Sequence, residues 1–224
     1  MRKNLIVVMD DIATITIAKD TSFAMLLEGQ RRGYKVFYLN EDGLSLDGHL
    51  ALARMHPITV RDDGQNWFEL GDGVQRALGD DDLVFMRADP PVDEKYLFAT
   101  YLLDCAQASG ARIINRPSAL RNFNEKLAIT RFPELMPDTR VSSKATELKA
   151  FVKAQGRAVL KPLDGMGGKS IFLASSDDPN LNVIVETLTD GGQKLAIAQQ
   201  YLPAIEDGDK RILIVIALDQ QVLA

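Results

Sequence analysis

The sequence predicts an α/β protein in which an open parallel-sheet domain is followed by an α+β domain. Over residues 1–122, short apolar runs such as Leu5–Met9 alternate with helical patterns. Such runs are typical of buried parallel strands, and the intervening helices are typical of crossover connections. After residue 122 the predicted order changes to helix, strand, helix, strand–loop–strand, helix and two strands. That order favours an α+β unit, so we predict domains at 1–122 and 123–224.

The N-terminal domain is predicted to begin with a β-α-β unit. Its strands are residues 5–9 and 35–39, and its helix is capped by Thr21 or Ser22 and ends at Gly33. Such a unit places its two strands in parallel through a right-handed crossover. The pattern also predicts a hairpin over 44–54, a strand over 83–86, a helix over 93–109 and a strand over 112–115.

Two loops of this domain follow strands at their C-terminal ends, where open α/β sheets bind ligands. One covers residues 10–20 and the other begins with Arg87. The Arg87 guanidinium suits bidentate binding of a substrate carboxylate, although a surface ion pair with Asp89 would explain it equally well. Asp20 and Ser22 lie at a helix N-terminus facing the same edge, and we predict that they contact substrate. Helix capping alone would also explain them.

The composition excludes several classes of protein. With 46% hydrophobic and 25% charged residues, the chain is ordinary for a globular protein. Its net charge of -5 gives no basic footprint for nucleic acid. The single cysteine, Cys105, excludes an internal disulfide. No apolar run approaches the length of a membrane span, and Asp10 and Asp11 interrupt the first one too early for a signal peptide. We therefore expect a cytoplasmic protein with neither a membrane nor a nucleic-acid partner.

A glycine-rich loop between two apolar runs is the strongest functional signal of the second domain. Lys161 ends the first run, and Gly165, Gly167 and Gly168 follow it. Glycine backbones reach positive φ and expose amides that bind anions, and the lysine adds a compact positive charge, so the loop predicts polyphosphate binding. It is not a Walker A motif, because Leu163 stands where the first glycine belongs and no helix follows. Glycines that serve only hairpin geometry are the alternative.

The other elements of the second domain surround this loop. The loop belongs to a predicted hairpin over 158–174. The pattern further predicts a helix over 124–132, a strand over 139–142, a helix ending at 156, a helix opening at 178, a strand over 196–202 and a strand over 211–215.

Taken together, these segments resemble the prokaryotic glutathione synthetases, a family of the ATP-grasp superfamily. The motif Lys-Pro-x-x-Gly-x-Gly-Gly alone indicates only an ATP-grasp protein, and the stretches 87–91 and 203–211 narrow the resemblance to this family. The likeness covers nearly the whole chain in order and spacing. The matching stretches are 8–10, 19–28, 86–91, 124–126, 160–168, 199–205 and 207–211.

The resemblance implies a fold and a reaction. Residues 1–122 would form the pre-ATP-grasp domain, and residues 123–224 the N-terminal part of an ATP-grasp domain. The reaction would join γ-glutamylcysteine to glycine with ATP, through an acylphosphate, giving glutathione, ADP and phosphate. Magnesium would accompany ATP, with manganese as a substitute, and the partners would be these small molecules and further copies of the chain in a homotetramer.

The resemblance also implies roles for the phosphate-binding residues. Lys126 and Lys161 match the two lysines that contact the phosphates of ATP. Gly165, Gly167 and Gly168 match a small mobile loop over the same phosphates. The alternative for Lys126 is a solvated lysine on a helix, loosely paired with a surface carboxylate. Lys161 is harder to explain structurally, because a lysine that ends an apolar strand needs an anion or water.

The resemblance also implies roles for residues after 198. Residues Gln199, Gln200, Tyr201 and Leu202 match the hinge that holds adenine through backbone groups, although an ordinary sheet strand would also explain them. Asp209 matches a carboxylate that contacts the nucleotide. Arg211 lies where positive charge could face phosphate or a substrate carboxylate, and we assign it the catalytic role. A solvated turn is the alternative for the charged run around them.

Other functions stay open beside this one. The family continues past Ala224 with a lid and the magnesium ligands, so we expect no metal ligands in this chain and no ligase turnover from it alone. Another ATP-grasp carboxylate–amine ligase and a non-catalytic nucleotide-binding module are the alternatives. A Rossmann dehydrogenase is disfavoured, because no G-x-G-x-x-G turn follows the first strand.

Overall fold

The computed structural model describes residues 3–165 and 167–210. The chain divides into two compact units. The first contains Met1–Met136 and Pro162–Ser170, and the second contains Pro137–Lys161 and Ile171–Ala224. The glycine loop thus belongs to the first unit, as does the segment 123–136. The predicted domain boundary between residues 122 and 123 stays a prediction.

The first unit is built on a mixed sheet. Its helices are α1 Thr21–Arg31, α2 Glu94–Ala108 and α3 Pro117–Asn122. Its strands are β1 Asn4–Val8, β2 Lys35–Leu39, β3 Leu44–Asp47, β4 Leu50–Val60, β5 Phe68–Leu70, β6 Val74–Ala77, β7 Asp82–Met86 and β8 Arg112–Ile114. The sheet order is β3-β4-β2-β1-β7-β8, with β5 and β6 also paired to β4. Short 3-10 helices cover Ile12–Thr14, Glu41–Gly43, Ala128–Arg131 and Pro133–Leu135.

The centre of this sheet is parallel, as the sequence predicts. β1 pairs in parallel with β2 on one side and with β7 on the other, and β7 pairs in parallel with β8. The predicted hairpin is also confirmed, because β3 and β4 pair antiparallel around Asp47-Gly48. Beyond the prediction, β4 continues to Val60 and adds β5 and β6 as antiparallel partners. The parallel centre therefore carries an antiparallel extension at one side.

Alternating side chains of β1 explain why helices pack on both faces of the sheet. Leu5 and Val7 pack in a core with residues of α1, whereas Ile6 and Val8 pack in a core with residues of α2. Successive side chains of a strand point to opposite faces, so a continuous apolar run needs cover on both. Burying one such side chain stabilises the fold by about 1.5–3 kcal/mol. The strand ends, and the loops that follow them, are fixed by this packing.

The second unit is a four-stranded sheet covered by two helices. Its elements are β9 Thr139–Ser142, α4 Ala145–Gln155, β10 Arg157–Pro162, β11 Phe172–Ser175, α5 Leu181–Thr189 and β12 Ala196–Gln200. The strand order is β11-β10-β12-β9. Leu148 and Val152 of α4 and Val185 of α5 pack on Leu160 and Ala198 of the sheet. A 3-10 helix covers Pro203–Asp207.

Most predicted elements of this region are confirmed, including the hairpin formed by β10 and β11 and the helices α4 and α5. The predicted strand over 211–215 lies outside the described residues. Within residues 3–165 and 167–210, every helix is too short or too polar to span a lipid bilayer.

The predicted helix over 124–132 is wrong. Residues 125–127 form a turn, and only Ala128–Arg131 are helical, as a 3-10 helix. The Asn124 Oδ1 atom accepts hydrogen bonds from the backbone N–H groups of Lys126 and Leu127, each at 3.0 Å. Asparagine side chains that bond nearby amides in this way compete with helix formation. Pro133 also disfavours helical backbone in the residue before it.

Candidate functional site

The three glycines of the loop have different local requirements. Gly167 and Gly168 have φ of +64° and +76°, a conformation that side-chain-bearing residues rarely adopt. A Cβ atom at either position would meet open space, so glycine is needed there for its backbone conformation. Gly165 has another reason, since a Cβ there would lie 2.9 Å from Cγ of Pro162. The loop therefore depends on glycine both for its turns and for the close approach of its own backbone.

Lys126 is linked directly to this loop. Its Nζ atom lies 2.5 Å from the Gly165 carbonyl oxygen and 2.5 Å from Glu125 Oε1. The lysine side chain is only 12% exposed, whereas that of Glu125 is 64% exposed. The Asn124 Nδ2 group adds a bond of 3.1 Å to the Leu163 carbonyl oxygen. The segment before the 3-10 helix thus holds the loop through two side chains, and Lys126 is not a solvated helix residue.

The predicted nucleotide residues of the second unit lie on β10 and after β12. Lys161 is half-buried near the end of β10. Gln199 is buried, and its Nε2 group donates to Thr139 Oγ1 at 3.1 Å. The Gln200 N–H donates to the Asp138 carbonyl oxygen at 2.9 Å. Tyr201 and Leu202 follow the end of the strand.

Tyr201 is held by two neighbours of the same unit. Its hydroxyl donates to Glu206 Oε1 at 2.8 Å, and the Arg157 guanidinium lies 4.3 Å from the centre of its ring. The hydrogen bond to Glu206 is the largest cause of a raised pKa for the Tyr201 phenol. Asp209 is exposed, and Arg211 lies outside the described residues. The roles of Asp209 and Arg211 stay predictions.

The predicted substrate residues of the first unit come together. Arg87 Nε donates to Ser22 Oγ at 3.2 Å, and its Nη2 donates to Thr21 Oγ1 at 2.9 Å. Among the described residues its hydrogen bonds go to these hydroxyls, and the alternative pairing with the Asp89 carboxylate is not formed. Asp20 caps α1, because its Oδ1 accepts from the Phe23 N–H at 2.8 Å. The prediction that Thr21 or Ser22 is the cap is therefore wrong.

These residues line a cavity of about 590 Å³. Arg87, Asp20 and Ser22 share its lining with Asp10, Asp89 and Lys169. The Asp89 N–H donates to Asp10 Oδ2 at 2.9 Å, which ties together the loops after β1 and β7.

Asp89 carries the clearest electrostatic signal of this cavity. Loss of hydration is the largest cause of its raised pKa, and the Asp10 and Asp20 carboxylates add to it, while Arg87 opposes it. Carboxylates that share a site disfavour each other's ionised form. The sequence pattern places the loops that contain Asp10 and Asp89 at the ligand edge of the sheet but gives neither carboxylate a role in the site.

A second cavity of the first unit measures about 700 Å³. Tyr96, Asn115, Arg121, Asn124 and Gly165 are among its lining residues. Burial is the largest cause of the raised pKa of the Tyr96 phenol. The sequence pattern does not predict this cavity, because its lining comes from α2, α3 and four loops that are distant from one another in the chain.

The described part of the chain contains no cluster of side chains that could hold a metal ion. Among residues 3–165 and 167–210, no three histidine, cysteine or acidic side chains converge as they would around a metal ion. The acids near Arg87 therefore do not form a metal site of that kind. The magnesium ligands predicted past Ala224 stay a prediction.

Comparison with solved structures identifies the fold. A RimK domain ATP-grasp protein from Sphaerobacter thermophilus aligns with a TM-score of 0.56 at 20% identity, covering 89% of this chain and 64% of that one. The D-cycloserine synthetase DcsG aligns with a TM-score of 0.55 at 15% identity, covering 90% of this chain and 60% of that one. At these identities the likeness concerns the fold alone, and that fold is ATP-grasp.

Sequence comparison then gives the family. The family model for the prokaryotic glutathione synthetase N-terminal domain matches residues 4–121, and the model for its ATP-grasp domain matches residues 125–219. A glutathione synthetase from Xanthomonas axonopodis pv. citri is 55% identical over 215 residues, which are 96% of this chain and 68% of the relative. One from Shewanella oneidensis is 48% identical over 209 residues, 93% of this chain and 66% of the relative. The chain belongs to the prokaryotic glutathione synthetase family, which confirms the resemblance.

Proposed function

We propose that the chain serves the ATP-dependent ligation of γ-glutamylcysteine to glycine, giving glutathione, ADP and phosphate. Membership of the prokaryotic glutathione synthetase family supports this reaction. The single structural observation that carries it is the bond from Lys126 to the Gly165 carbonyl, which fixes a cationic group beside a glycine loop with exposed left-handed turns.

The nucleotide would be bound mainly through its phosphates. Lys126 and Lys161 would contact phosphate oxygens, and the amides around Gly167 and Gly168 would contact the same group, since amides of successive residues in such turns form anion-binding concavities. Residues 199–202 would hold adenine through backbone groups, and Asp209 would contact the nucleotide. Arg211 would place a positive charge near the transferred phosphoryl group.

The chemistry would proceed in two displacements. A carboxylate oxygen of γ-glutamylcysteine attacks the γ-phosphorus, and ADP leaves with the electron pair of the broken P–O bond. The neutral amine of glycine then attacks the acyl carbon of the acylphosphate, phosphate leaves with the C–O electron pair, and the new amide loses a proton. In such a reaction the side chains position the reactants and neutralise phosphate charge, and none acts as a nucleophile.

Arg87, Asp20 and Ser22 would form the substrate side of the site. The guanidinium is oriented by two hydroxyl groups, and no hydrogen-bonded carboxylate among the described residues neutralises it. A cation held in this way is available to a substrate carboxylate. We expect Arg87→Ala to raise the KM for γ-glutamylcysteine at least tenfold while changing the KM for ATP by less than threefold. Equal increases in both values would indicate a structural role for Arg87.

Phosphate release tests the reaction itself. The intact protein should release phosphate from ATP only when γ-glutamylcysteine and glycine are both present, and omission of either should reduce the rate to background. Phosphate release with a different carboxylate or amine would identify another ligase of the superfamily. Nucleotide binding without any phosphate release would identify a non-catalytic module.

Several further features belong to the same proposal. ATP is a substrate, and Mg²⁺, or Mn²⁺ in its place, would accompany it and neutralise charge on its phosphates. The described residues supply no evident metal cluster, so no step above is assigned to the ion. The cytoplasm is the proposed location, since ATP is available there. The proposed assembly is a homotetramer, which sedimentation of the intact protein would test.

A further inference from the structure

The only tryptophan of the chain contacts the loop that follows β1. Trp67 lies between β4 and β5, and its Nε1–H group donates a hydrogen bond to the Ile12 carbonyl oxygen at 3.2 Å. Ile12 belongs to the loop over residues 10–20 and is separated from Trp67 by 55 positions in the chain. The antiparallel extension of the sheet thus reaches a loop at the carboxyl ends of the parallel strands.

This loop has few other attachments to the sheet. Ile12 is its only fully buried residue, at 1% exposure, whereas Asp11, Ala13 and Thr14 are exposed. The Ala13 N–H donates to Asp11 Oδ1 at 2.9 Å, and the Thr14 N–H donates to the Asp11 carbonyl oxygen at 2.9 Å. Such local bonds shape a turn but do not fix the turn on the sheet. Exposed segments with few buried contacts are those that open most easily.

Ile12 is held through its side chain and through both of its backbone polar groups. The side chain packs in the core between α1 and the sheet. The N–H donates to the hydroxyl of Tyr38, a residue of β2, while the carbonyl oxygen accepts from Trp67. Buried backbone groups need hydrogen-bond partners, and here two aromatic side chains supply them. The two bonds therefore set both the position and the orientation of the loop at Ile12.

Trp67 is itself fixed by the strands around it. Its carbonyl oxygen accepts the Arg61 N–H at 2.8 Å, directly beyond the pairing of Val60 with Phe68 in β4 and β5. The side chain of Gln30, on α1, bonds both backbone groups of Val60, at 2.9 and 2.6 Å. Groups supported in this way by regular elements hold a site more precisely than groups on loops alone.

The anchored loop contributes to the cavity that contains Arg87. Thr14, Ile15 and Thr16 line that cavity, and they follow Ile12 closely in the chain, whereas Trp67 is not among the lining residues. Building on the function proposed above, we propose that Trp67 is a positioning residue for the dipeptide substrate. Its indole N–H holds the loop after β1 in the conformation that binds γ-glutamylcysteine, and Trp67 itself does not contact the substrate.

Removal of the indole donor tests the effect on catalysis. Trp67→Phe keeps an aromatic ring in the core but loses the N–H group. In the intact protein it should raise the KM for γ-glutamylcysteine about fivefold, while the KM for ATP and kcat change by less than twofold. A fivefold change corresponds to about 1 kcal/mol, the net contribution of one hydrogen bond between neutral groups.

Two further variants complete this test. Tyr38→Phe removes the hydroxyl on the other side of Ile12 and should reproduce the pattern, which also decides the matter if Trp67→Phe fails to fold. Tyr34→Phe removes a hydroxyl from another aromatic side chain of the same core. In the part of the chain that the structure describes, no hydrogen bond joins Tyr34 to the loop, so this control should leave both KM values unchanged.

Amide hydrogen exchange of the free protein tests the anchor without any substrate. The amides of residues 12–16 should exchange at least fivefold faster in Trp67→Phe than in the unmodified protein, and at the unmodified rate in Tyr34→Phe. Unchanged exchange in Trp67→Phe would refute the anchor. Faster exchange with an unchanged KM for γ-glutamylcysteine, or equal rises in both KM values, would refute the positioning role. Absence of ligation by the unmodified protein would refute the proposed function instead, and the exchange rates would still decide whether Trp67 anchors the loop.

Discussion

Replacing Lys126 with methionine removes the charge that joins the glycine loop to the preceding segment. Methionine keeps most of the length and apolar contact of the side chain, so the change concerns mainly the ammonium group. The bond to the Gly165 carbonyl is charge-assisted and largely shielded from water, and such bonds contribute about 1.5–3 kcal/mol. The pair with Glu125 adds less than about 1 kcal/mol, because that carboxylate is mostly exposed.

This loss should appear in nucleotide affinity. If ATP binds to the loop in its anchored form, losing about 1.5–3 kcal/mol weakens binding about 10- to 100-fold, since each 1.4 kcal/mol is a factor of ten. Calorimetric titration of the intact protein with a non-hydrolysable ATP analogue measures this directly. Glu125→Gln should change Kd by less than threefold, and Lys35→Met, at an exposed lysine at the start of β2, should change it by less than twofold. A Kd for Lys126→Met within twofold of the unmodified value would refute the reasoning.

Three further predictions concern stability and the loop. Arg76→Ala should lower the free energy of unfolding, measured with urea, by about 2 kcal/mol. The loss is smaller than for a fully buried ion pair, because Asn4 and Gly79 still donate hydrogen bonds to the buried Asp82. As a control, Arg61→Ala at an exposed ion pair should lower the same free energy by less than about 1 kcal/mol. Glu41→Gln should stabilise the protein by about 1 kcal/mol at pH 8, because the Glu41 Oε1 atom is buried without a described partner. Burial raises the pKa of Glu41, so the ionised carboxylate destabilises the fold above that pKa. The stability gained by Glu41→Gln should therefore vanish as the pH falls through this pKa. Thermal unfolding at several pH values measures this gain, and a gain that does not change with pH would contradict the prediction. Gly168→Ala should weaken nucleotide binding about fivefold, because alanine in the left-handed region costs about 1 kcal/mol, whereas Gly64→Ala, in open space, should have no effect on the titration.

The sequence predicts the buried elements well because their pattern is set by packing alone. β1, β2 and β7 are continuous apolar runs, and a chain can bury such runs on both faces only in a covered sheet. β5 and β6 are missed because they are short and largely exposed, and their pairing with β4 holds them in the sheet. A local pattern carries little information about a strand that depends on its partner.

The sequence likewise predicts some features of the site and misses others. Arg87 and Ser22 are correctly placed at one edge, because strand ends in a parallel sheet meet there. The turn at Lys126 is missed, because the side chain of one asparagine decides against a helix that the apolar spacing favours. The bond from Lys126 to Gly165 spans 39 residues, and no local pattern encodes a contact at that separation.

An aspartate lies at the start of β7 and another lies just beyond its end, and their surroundings differ. At its start, Asp82 accepts hydrogen bonds from Arg76, Gly79 and Asn4. Burial alone would raise the pKa of Asp82, but these bonds lower it. Its contribution to stability is therefore complete above about pH 3.9, the ordinary value for Asp, and is lost as the pH falls through the lower folded value.

Just beyond the other end of β7, Asp89 is exposed to solvent. Its pKa is raised, chiefly by loss of hydration and by Asp10, and it lacks a bonded counter-ion among the described residues. Neighbouring carboxylates disfavour each other's ionised form, and at exposed groups water screens much of this effect. Because ligands of open α/β sheets bind at the carboxyl ends of the strands, the unpaired charge lies at the end where a ligand can pair it. The contrast between Asp82 and Asp89 thus separates a buried carboxylate that stabilises the fold from an exposed one that stays accessible at the carboxyl ends of the strands.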